Sequence, residues 1–233
     1  MTPLDDRLAA LRDSGRAKTA GYRSLGEIAI EKASADPDRV LVLDGDRTVT
    51  RGEMFDAACR LGGALGARGL ARGAVIAFQL PNWWESSVVN LAAALFGYRC
   101  APLLPIYRHA ELGAILPACG AEAIFIPALY RGFDYAALLA RVPGGPQHVF
   151  TVRGDPASPN AFETLLRYAP AAPAPAPADD AKMVLFTSGS TGRPKGVMHS
   201  HATIDALILG AAAFWKIGST DRLYVPSPVG HIG

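Results

Sequence analysis

The chain has 233 residues, of which 50% are hydrophobic and 19% charged, with 23 basic residues against 21 acidic ones. This composition excludes a disordered chain, a disulfide scaffold and a nucleic-acid binder driven by bulk charge. No apolar run reaches the roughly 18 residues of a membrane span, and the N-terminus lacks the features of a signal peptide. We therefore expect a cytoplasmic protein without an integral membrane segment.

The N-terminal part of the sequence predicts helices with short strands between them. Thr2 is a suitable cap for a first helix, and the leucines that follow lie on one face. Ser24 and Glu27 predict a capping box that begins a second helix, and Thr50 and Glu53 predict another. The strands predicted here are 40–43 and 48–50, and the helix after the second capping box covers 54–65.

Strands and helices alternate from residue 75 onward. The unbroken apolar run Val75–Phe78 is typical of a strand that is buried on both faces. The alternation predicts an α/β fold with parallel sheets layered with helices. The predicted strands are 75–78, 100–104, 123–126, 148–151 and 183–186, and the predicted helices are 85–96, 111–119, 135–140 and 204–215.

A proline-rich segment suggests a division of the chain. Residues 168–178 contain four prolines, which favour an extended and semi-rigid linker over a helix or a central strand. The segment predicts a first α/β unit over 1–167 and the start of a second unit over 179–233.

The loop between residues 187 and 196 carries the strongest chemical pattern. It combines small hydroxyl side chains, three glycines and Lys195, which together suit a polyphosphate ligand. The Walker A, GxGxxG and GxSxG patterns do not fit it. A flexible surface loop is the alternative for a glycine- and serine-rich segment of this kind. The residues concerned are Thr187, Ser188, Gly189, Ser190, Thr191, Gly192 and Lys195.

The segment Thr187–Gly196 closely resembles the signature loop of adenylate-forming enzymes, which include acyl-CoA synthetases, peptide-synthetase adenylation domains and luciferases. Gln79–Glu85 and Pro102–Leu112 look most like medium-chain fatty acid and alicyclic carboxylate CoA ligases. Pro226–His231 resembles the next motif of the family, where an aromatic or histidine residue borders the acyl and adenylate pocket.

The resemblance implies a two-step reaction with ATP, Mg²⁺ and CoA. A carboxylate attacks the α-phosphate of ATP to give acyl-AMP and pyrophosphate, and the CoA thiol then displaces AMP. By resemblance, Thr187–Gly192 and Lys195 hold the β- and γ-phosphates, and His231 lies beside the carboxylate. Lys195 and His231 are the candidate catalytic residues, although His231 could equally be structural. We assign no residue to a metal.

The resemblance also implies that the chain is an incomplete N-terminal domain. Family members are more than twice as long, and their adenine motif, hinge and C-terminal lysine have no counterpart here. We therefore expect an N-terminal fragment of an acid–CoA ligase. The alternatives are an acyl-AMP ligase that feeds a carrier protein, and a non-catalytic truncated remnant. The identity of the acid and the oligomeric state are left open.

Other residues allow both a functional and a structural interpretation. His199 and His201 would share one face of an extended strand and could form a metal pair, but we favour a role in leading the chain into the next helix. Trp83 and Trp84 could form a ligand platform, but we expect them to anchor a helix start in the core. The apolar segment 206–215 predicts a buried core helix, with a membrane-associating helix as the alternative. Asp179 and Asp180 could be metal ligands, but we favour a solvated turn before a strand.

Overall fold

The computed structural model describes residues 21–187 and 194–230, so the helix predicted at Thr2 lies outside the described residues. The helices are α1 (Leu25–Ala35), α2 (Arg51–Ala67), α3 (Trp84–Phe96), α4 (His109–Cys119), α5 (Tyr135–Leu139), α6 (Phe162–Leu165) and α7 (His201–Phe214). The strands are β1 (Val40–Asp44), β2 (Arg47–Thr50), β3 (Val75–Phe78), β4 (Arg99–Pro102), β5 (Ala121–Pro127), β6 (Leu129–Tyr130), β7 (Phe133–Asp134), β8 (His148–Val152), β9 (Ala181–Thr187) and β10 (Lys195–Ser200).

Both predicted capping boxes are confirmed. The Glu27 carboxylate accepts a hydrogen bond from the Ser24 N–H at 2.7 Å, and the Ser24 hydroxyl accepts one from the Glu27 N–H at 3.2 Å. Thr50 and Glu53 form the same reciprocal pair at the start of α2. Each box satisfies backbone N–H groups that the first helical turn leaves without partners.

A six-stranded sheet in the order β10-β9-β4-β3-β5-β8 forms the centre of the molecule. In this sheet the pairs β9–β4, β4–β3, β3–β5 and β5–β8 are parallel, and β10 pairs antiparallel with β9. The predicted parallel α/β sheet is therefore confirmed. The β1–β2 and β6–β7 hairpins are separate two-stranded sheets.

Helices cover both faces of this sheet. Ile76 and Phe78 of β3 belong to a hydrophobic cluster with α2 and α3, whereas Val75 and Ala77 belong to a second cluster with α4 and α5. The four side chains of β3 are all buried. The alternation of side chains along the strand thus sends successive residues into two separate cores, which confirms that β3 is buried on both faces.

The C-terminal helix differs from its prediction. Only His201, Ala202 and Asp205 of α7 are buried, all in its first turns. The side chains of Leu207, Ile208 and Leu209 are 59%, 53% and 54% exposed. The prediction of a buried core helix is therefore wrong for the described chain, because α7 follows the edge strand β10 and only its first turns reach the body of the protein.

The proline-rich segment 168–178 forms neither helix nor strand. It lies against the body of the molecule, since the Ala171 N–H donates to the Cys59 carbonyl of α2 and the Ala174 N–H donates to the Leu95 carbonyl of α3. The strand after it, β9, joins the same sheet as β3 and β4. The division into units 1–167 and 179–233 stays a prediction.

Candidate functional site

A crevice is expected at one edge of the sheet, between the carboxyl ends of β3 and β4. The helix that follows β3, α3, packs on one face, while the helix that follows β4, α4, packs on the other. Neighbouring parallel strands whose connections leave toward opposite faces create a crevice outside their carboxyl ends, where α/β proteins bind ligands. Because β9 is parallel to β4, Thr187 at its carboxyl end lies at this same edge.

Gln79 is a buried polar residue at this edge, directly after β3. Its Nε2 donates to the carbonyl oxygens of Leu104 and Tyr107, both at 3.0 Å, and therefore ties the ends of β3 and β4 together. Its Oε1 is buried and has no hydrogen-bond partner among the described residues. An unsatisfied buried acceptor is costly, so this amide requires explanation by local strain, water or ligand.

The turn from β3 into α3 is held by packing and charge. Trp84 is buried and its ring packs edge-on against Phe162, with the ring centroids 5.8 Å apart. The Arg153 guanidinium donates to both carboxylate oxygens of Glu85 at 2.9 Å and lies 4.1 Å from the centre of the Trp83 ring. The expectation that the two tryptophans anchor the helix start is therefore confirmed.

The phosphate-loop candidates are connected to the sheet through a β-hairpin. Thr187 ends β9 and Lys195 begins β10, and the two residues face each other as register partners. Both side chains are exposed, and Lys195 has no ion-pair partner among the described residues. Ser188, Gly189, Ser190, Thr191, Gly192 and His231 lie outside the described residues.

Glycine at position 196 lets the two strands of this hairpin approach closely. A Cβ at Gly196 would lie 3.1 Å from Val184 Cγ1 and 3.3 Å from Phe186 Cε1. The sequence analysis did not assign β10 as a strand. It therefore did not anticipate that the glycine-rich segment joins two antiparallel strands before the chain enters α7.

The segment 225–230 lies against the carboxyl ends of β3 and β4, where the crevice is expected, and forms no regular element. The Asn82 amide donates to the carbonyl oxygens of Val225 at 2.9 Å and Ser227 at 2.8 Å, and it accepts a hydrogen bond from the Val229 N–H at 2.8 Å. Gly230 lies against the backbone of Leu103, since an added Cβ would be 2.9 Å from the Leu103 carbonyl.

A second polar cluster is buried at the other end of β9. The Lys182 side chain is 1% exposed, and its ammonium donates to Asn90 Oδ1 at 2.5 Å. Burial lowers the pKa of Lys182. His201 is 1% exposed, both its ring nitrogens lack partners among the described residues, and burial with the nearby Lys182 charge lowers its pKa to about 4.

His199 and His201 lead the chain from β10 into the next helix, as the favoured interpretation expected. His199 lies on β10, whereas His201 is the first residue of α7, so the two do not share one strand. Within the described ranges, no group of three or more His, Cys, Asp or Glu side chains could hold a metal ion. Asp179 and Asp180 form the predicted turn before β9. None of the helices in the part of the chain that the structure describes is long and apolar enough to cross a membrane.

A sequence model of the AMP-binding enzyme family matches residues 30–233. The chain belongs to the AMP-binding enzyme family. The match includes the proposed phosphate loop, the segment after β3 and the segment that Asn82 holds. It confirms the resemblance on which the sequence analysis relied.

Curated relatives of this AMP-binding chain include ligases with different acceptors. The medium-chain fatty-acid–CoA ligase of Escherichia coli K12 is 33% identical over 243 residues, which cover 99% of this chain and 42% of that protein. The salicyl-AMP ligase / salicyl-S-ArCP synthetase of Mycobacterium tuberculosis is 30% identical over 240 residues, which cover 97% of this chain and 41% of that protein. The chain thus spans less than half the length of these relatives.

Solved structures support the same fold. The N-terminal subdomain of Klebsiella oxytoca NpsA in complex with 3-hydroxyanthranilyl-AMSN matches with a TM-score of 0.64 at 25% identity, over 82% of this chain and 44% of that one. The complex of VinN with L-aspartate matches with a TM-score of 0.77 at 23% identity, over 91% of this chain and 53% of that one. The second likeness shows the fold alone.

Two polar residues at the crevice were not identified from the sequence as site candidates. Gln79 and Asn82 lie in a segment that supported the family resemblance, but neither was given a role of its own. A polar side chain directly after a fully buried strand was the available signal for Gln79. Asn82 had no such signal, because its partners are more than 140 residues away along the chain.

Proposed function

We propose that this AMP-binding chain is part of an acid–CoA ligase that activates a carboxylic acid with ATP and transfers the acyl group to CoA. The carboxylate oxygen forms a bond to the α-phosphorus while pyrophosphate leaves. The CoA sulfur then attacks the acyl carbon and AMP leaves. The observation that carries the proposal is the Thr187–Lys195 hairpin mouth, which lies at the carboxyl edge of the sheet in a chain of this family.

The residues at the hairpin mouth fit a nucleotide phosphate. The hydroxyl residue Thr187 and Lys195, which has no ion-pair partner in the described part of the chain, are register partners there, and the sequence between them supplies glycines and further hydroxyls. Such donors neutralise charge that develops on phosphate oxygens without requiring a protein nucleophile. In this proposal Thr187–Gly192 and Lys195 hold the β- and γ-phosphates, His231 lies beside the carboxylate, and Mg²⁺ accompanies ATP.

The proposed substrate is a medium-chain or alicyclic acid in the cytoplasm. The relative from Escherichia coli, named for medium-chain fatty acids, supports this choice. The alternative acceptor is a carrier protein, which the name of the Mycobacterium tuberculosis relative supports.

The phosphate role of Lys195 can be tested by isotope exchange between ATP and pyrophosphate in the protein at the full length that its gene encodes. Octanoate and cyclohexanecarboxylate are the probe acids. Lys195→Ala is expected to slow acid-dependent exchange by about 100-fold, because it removes a charge that stabilises the departing pyrophosphate. Lys32→Ala removes an exposed lysine of α1 and serves as the matched control. Equal exchange in the wild type and Lys195→Ala would remove Lys195 from the site.

The acceptor is tested separately by mass spectrometry of the acyl product. An octanoyl-CoA thioester is the expected product when CoA is added. Accumulation of octanoyl-AMP in the presence of CoA, with exchange intact, would instead favour the carrier-protein alternative.

A further inference from the structure

The Asn82 side chain holds a distant part of the chain against the crevice. Its amide uses both donor hydrogens and its oxygen for hydrogen bonds, all of them to backbone groups between Val225 and Val229. Within residues 222–230, these are the hydrogen bonds to the described remainder of the chain. The segment therefore depends on one side chain for its polar attachment.

Apolar burial and one backbone contact are the other interactions of this segment with the described residues. Val225 is 56% exposed and Val229 is 38% exposed, so hydrophobic burial contributes little at Val225 and only part of its full value at Val229. At the far end, Gly230 packs directly on the Leu103 backbone, which leaves no room for a Cβ. The segment thus spans from Asn82, in the turn between β3 and α3, to Leu103, the residue after β4.

Asn82 itself is held in place. The Trp83 N–H donates to the Pro81 carbonyl at 2.7 Å and forms a tight turn around Asn82. The Glu85 carboxylate at the start of α3 is fixed by Arg153. The segment is therefore attached to a strand-to-helix turn that has hydrogen bonds and an ion pair of its own.

We propose that Asn82 is a positioning residue that docks segment 225–230 across the crevice between β3 and β4 and thereby sets the place of His231 beside the acid. This inference rests on the proposed function, in which His231 lies beside the carboxylate of the acid. His231 follows Gly230 directly in the sequence. Asn82 acts through this segment and not on the phosphates. Its loss should therefore weaken use of the acid more than use of ATP.

Hydrogen exchange tests the docking independently of activity. In Asn82→Ala the Val229 amide is expected to exchange at least about 10-fold faster, because its acceptor is gone. Asn82→Asp keeps an acceptor for Val229 but sets a carboxylate against the carbonyl oxygens of Val225 and Ser227. It should therefore also release the segment at neutral pH. Asn160→Ala, an exposed asparagine without a side-chain hydrogen bond among the described residues, is the matched control. Unchanged Val229 exchange in Asn82→Ala would overturn the proposal.

The kinetics of ATP–pyrophosphate isotope exchange test the positioning role of Asn82 in the full-length gene product. Asn82→Ala is expected to raise KM for octanoate about 10-fold while KM for ATP stays within about twofold. Gly230→Ala should give the same split without altering Asn82, because its Cβ would displace the segment from Leu103. The positioning role would be overturned if the Val229 amide exchanged faster in Asn82→Ala but KM for octanoate and KM for ATP rose equally, or neither rose. If the wild type shows no ATP–pyrophosphate exchange with either probe acid, the result contradicts both the proposed function and the positioning role. Amide hydrogen exchange at Val229 would still decide whether Asn82 docks the segment.

Discussion

Lys182 and His201 are buried basic side chains. Among the described residues, neither has a hydrogen bond to an acidic side chain. Lys182 has Asn90 as its hydrogen-bond acceptor, and His201 has no partner for either ring nitrogen among the described residues. Burying a charge without compensation is costly, so burial lowers the pKa of both groups in the folded protein. The stability of the protein should therefore respond to pH and to substitution at these two residues.

His201 is expected to make the folded protein sensitive to mild acid. Its pKa falls from 6.5 to about 4 because of burial and the nearby Lys182 charge. Above pH 6.5 the ring is neutral in both states, and its contribution is fully present. As pH falls from 6.5 to 4 the unfolded chain binds a proton that the folded chain does not, so the free energy of unfolding falls by up to about 3 kcal/mol.

Urea unfolding between pH 7 and pH 4 measures this loss. His201→Leu should flatten the fall in the free energy of unfolding over that window. His109→Gln, at an exposed histidine of α4, should leave the fall unchanged. An equal slope in wild type and His201→Leu would contradict the prediction.

Replacement of Lys182 by an apolar side chain of similar length is expected to stabilise the protein. Lys182→Met should raise the free energy of unfolding at pH 7 by about 1 kcal/mol, because it removes a buried amine with a single acceptor. Asn90→Leu should lower it by about 2 kcal/mol in the wild type but have little effect in the K182M background. A double-mutant cycle by urea unfolding measures both terms. An equal cost of Asn90→Leu in the two backgrounds would show that the pair is not coupled.

Residue-scale features were predictable where the partners are close in sequence. The capping boxes at Ser24 and Thr50 follow from residues three positions apart, so the local pattern was sufficient. Asn82 and Gln79 take their partners from other elements, and only the folded sheet brings these groups together. For the same reason the burial of Lys182 beside Asn90 could not be inferred from the sequence.

At the scale of elements, two glycines in neighbouring helices should respond oppositely to alanine. A Cβ at Gly26 of α1 would lie 2.7 Å from the Ala94 carbonyl oxygen of α3, whereas one at Gly66 of α2 would meet nothing within 4 Å. We expect Gly26→Ala to lower the free energy of unfolding by about 2 kcal/mol through overpacking. Gly66→Ala should raise it by about 0.5 kcal/mol, because alanine loses less backbone entropy in a helix.

Urea unfolding of the two single variants measures this difference. Each variant adds one methyl group to one helix, so the pair controls for helix propensity. Similar shifts of the same sign would mean that the close approach of α1 to α3 does not limit stability.

Elements were predictable where the apolar pattern was continuous. The sequence Val75–Phe78 predicts a buried strand because it is apolar at all four positions, and all four side chains are buried in the structure. Residues 195–200 mix glycine, polar and apolar residues, as an exposed edge strand allows, and β10 was therefore missed. The apolar pattern of α7 predicted burial, but periodicity cannot reveal whether another element covers a helix.

At the scale of the molecule, the order of strands decides where chemistry can take place. The sequence predicted a parallel α/β sheet, but not that β3 lies between β4 and β5 or that α3 and α4 cover opposite faces. That arrangement puts the expected crevice beside Gln79, Asn82 and the hairpin mouth. The order depends on contacts between distant segments, which local patterns do not encode.

The nucleotide products of turnover test the central claim most directly. The protein at the full length that its gene encodes would be incubated with Mg-ATP, CoA and either octanoate or cyclohexanecarboxylate, and the nucleotides separated by chromatography. Carboxylate activation at the α-phosphate predicts AMP and pyrophosphate in equal amounts, formed only when acid is present. ADP and phosphate as the products, or nucleotide consumption independent of the acid, would contradict the assignment of this chain to acyl-adenylate chemistry.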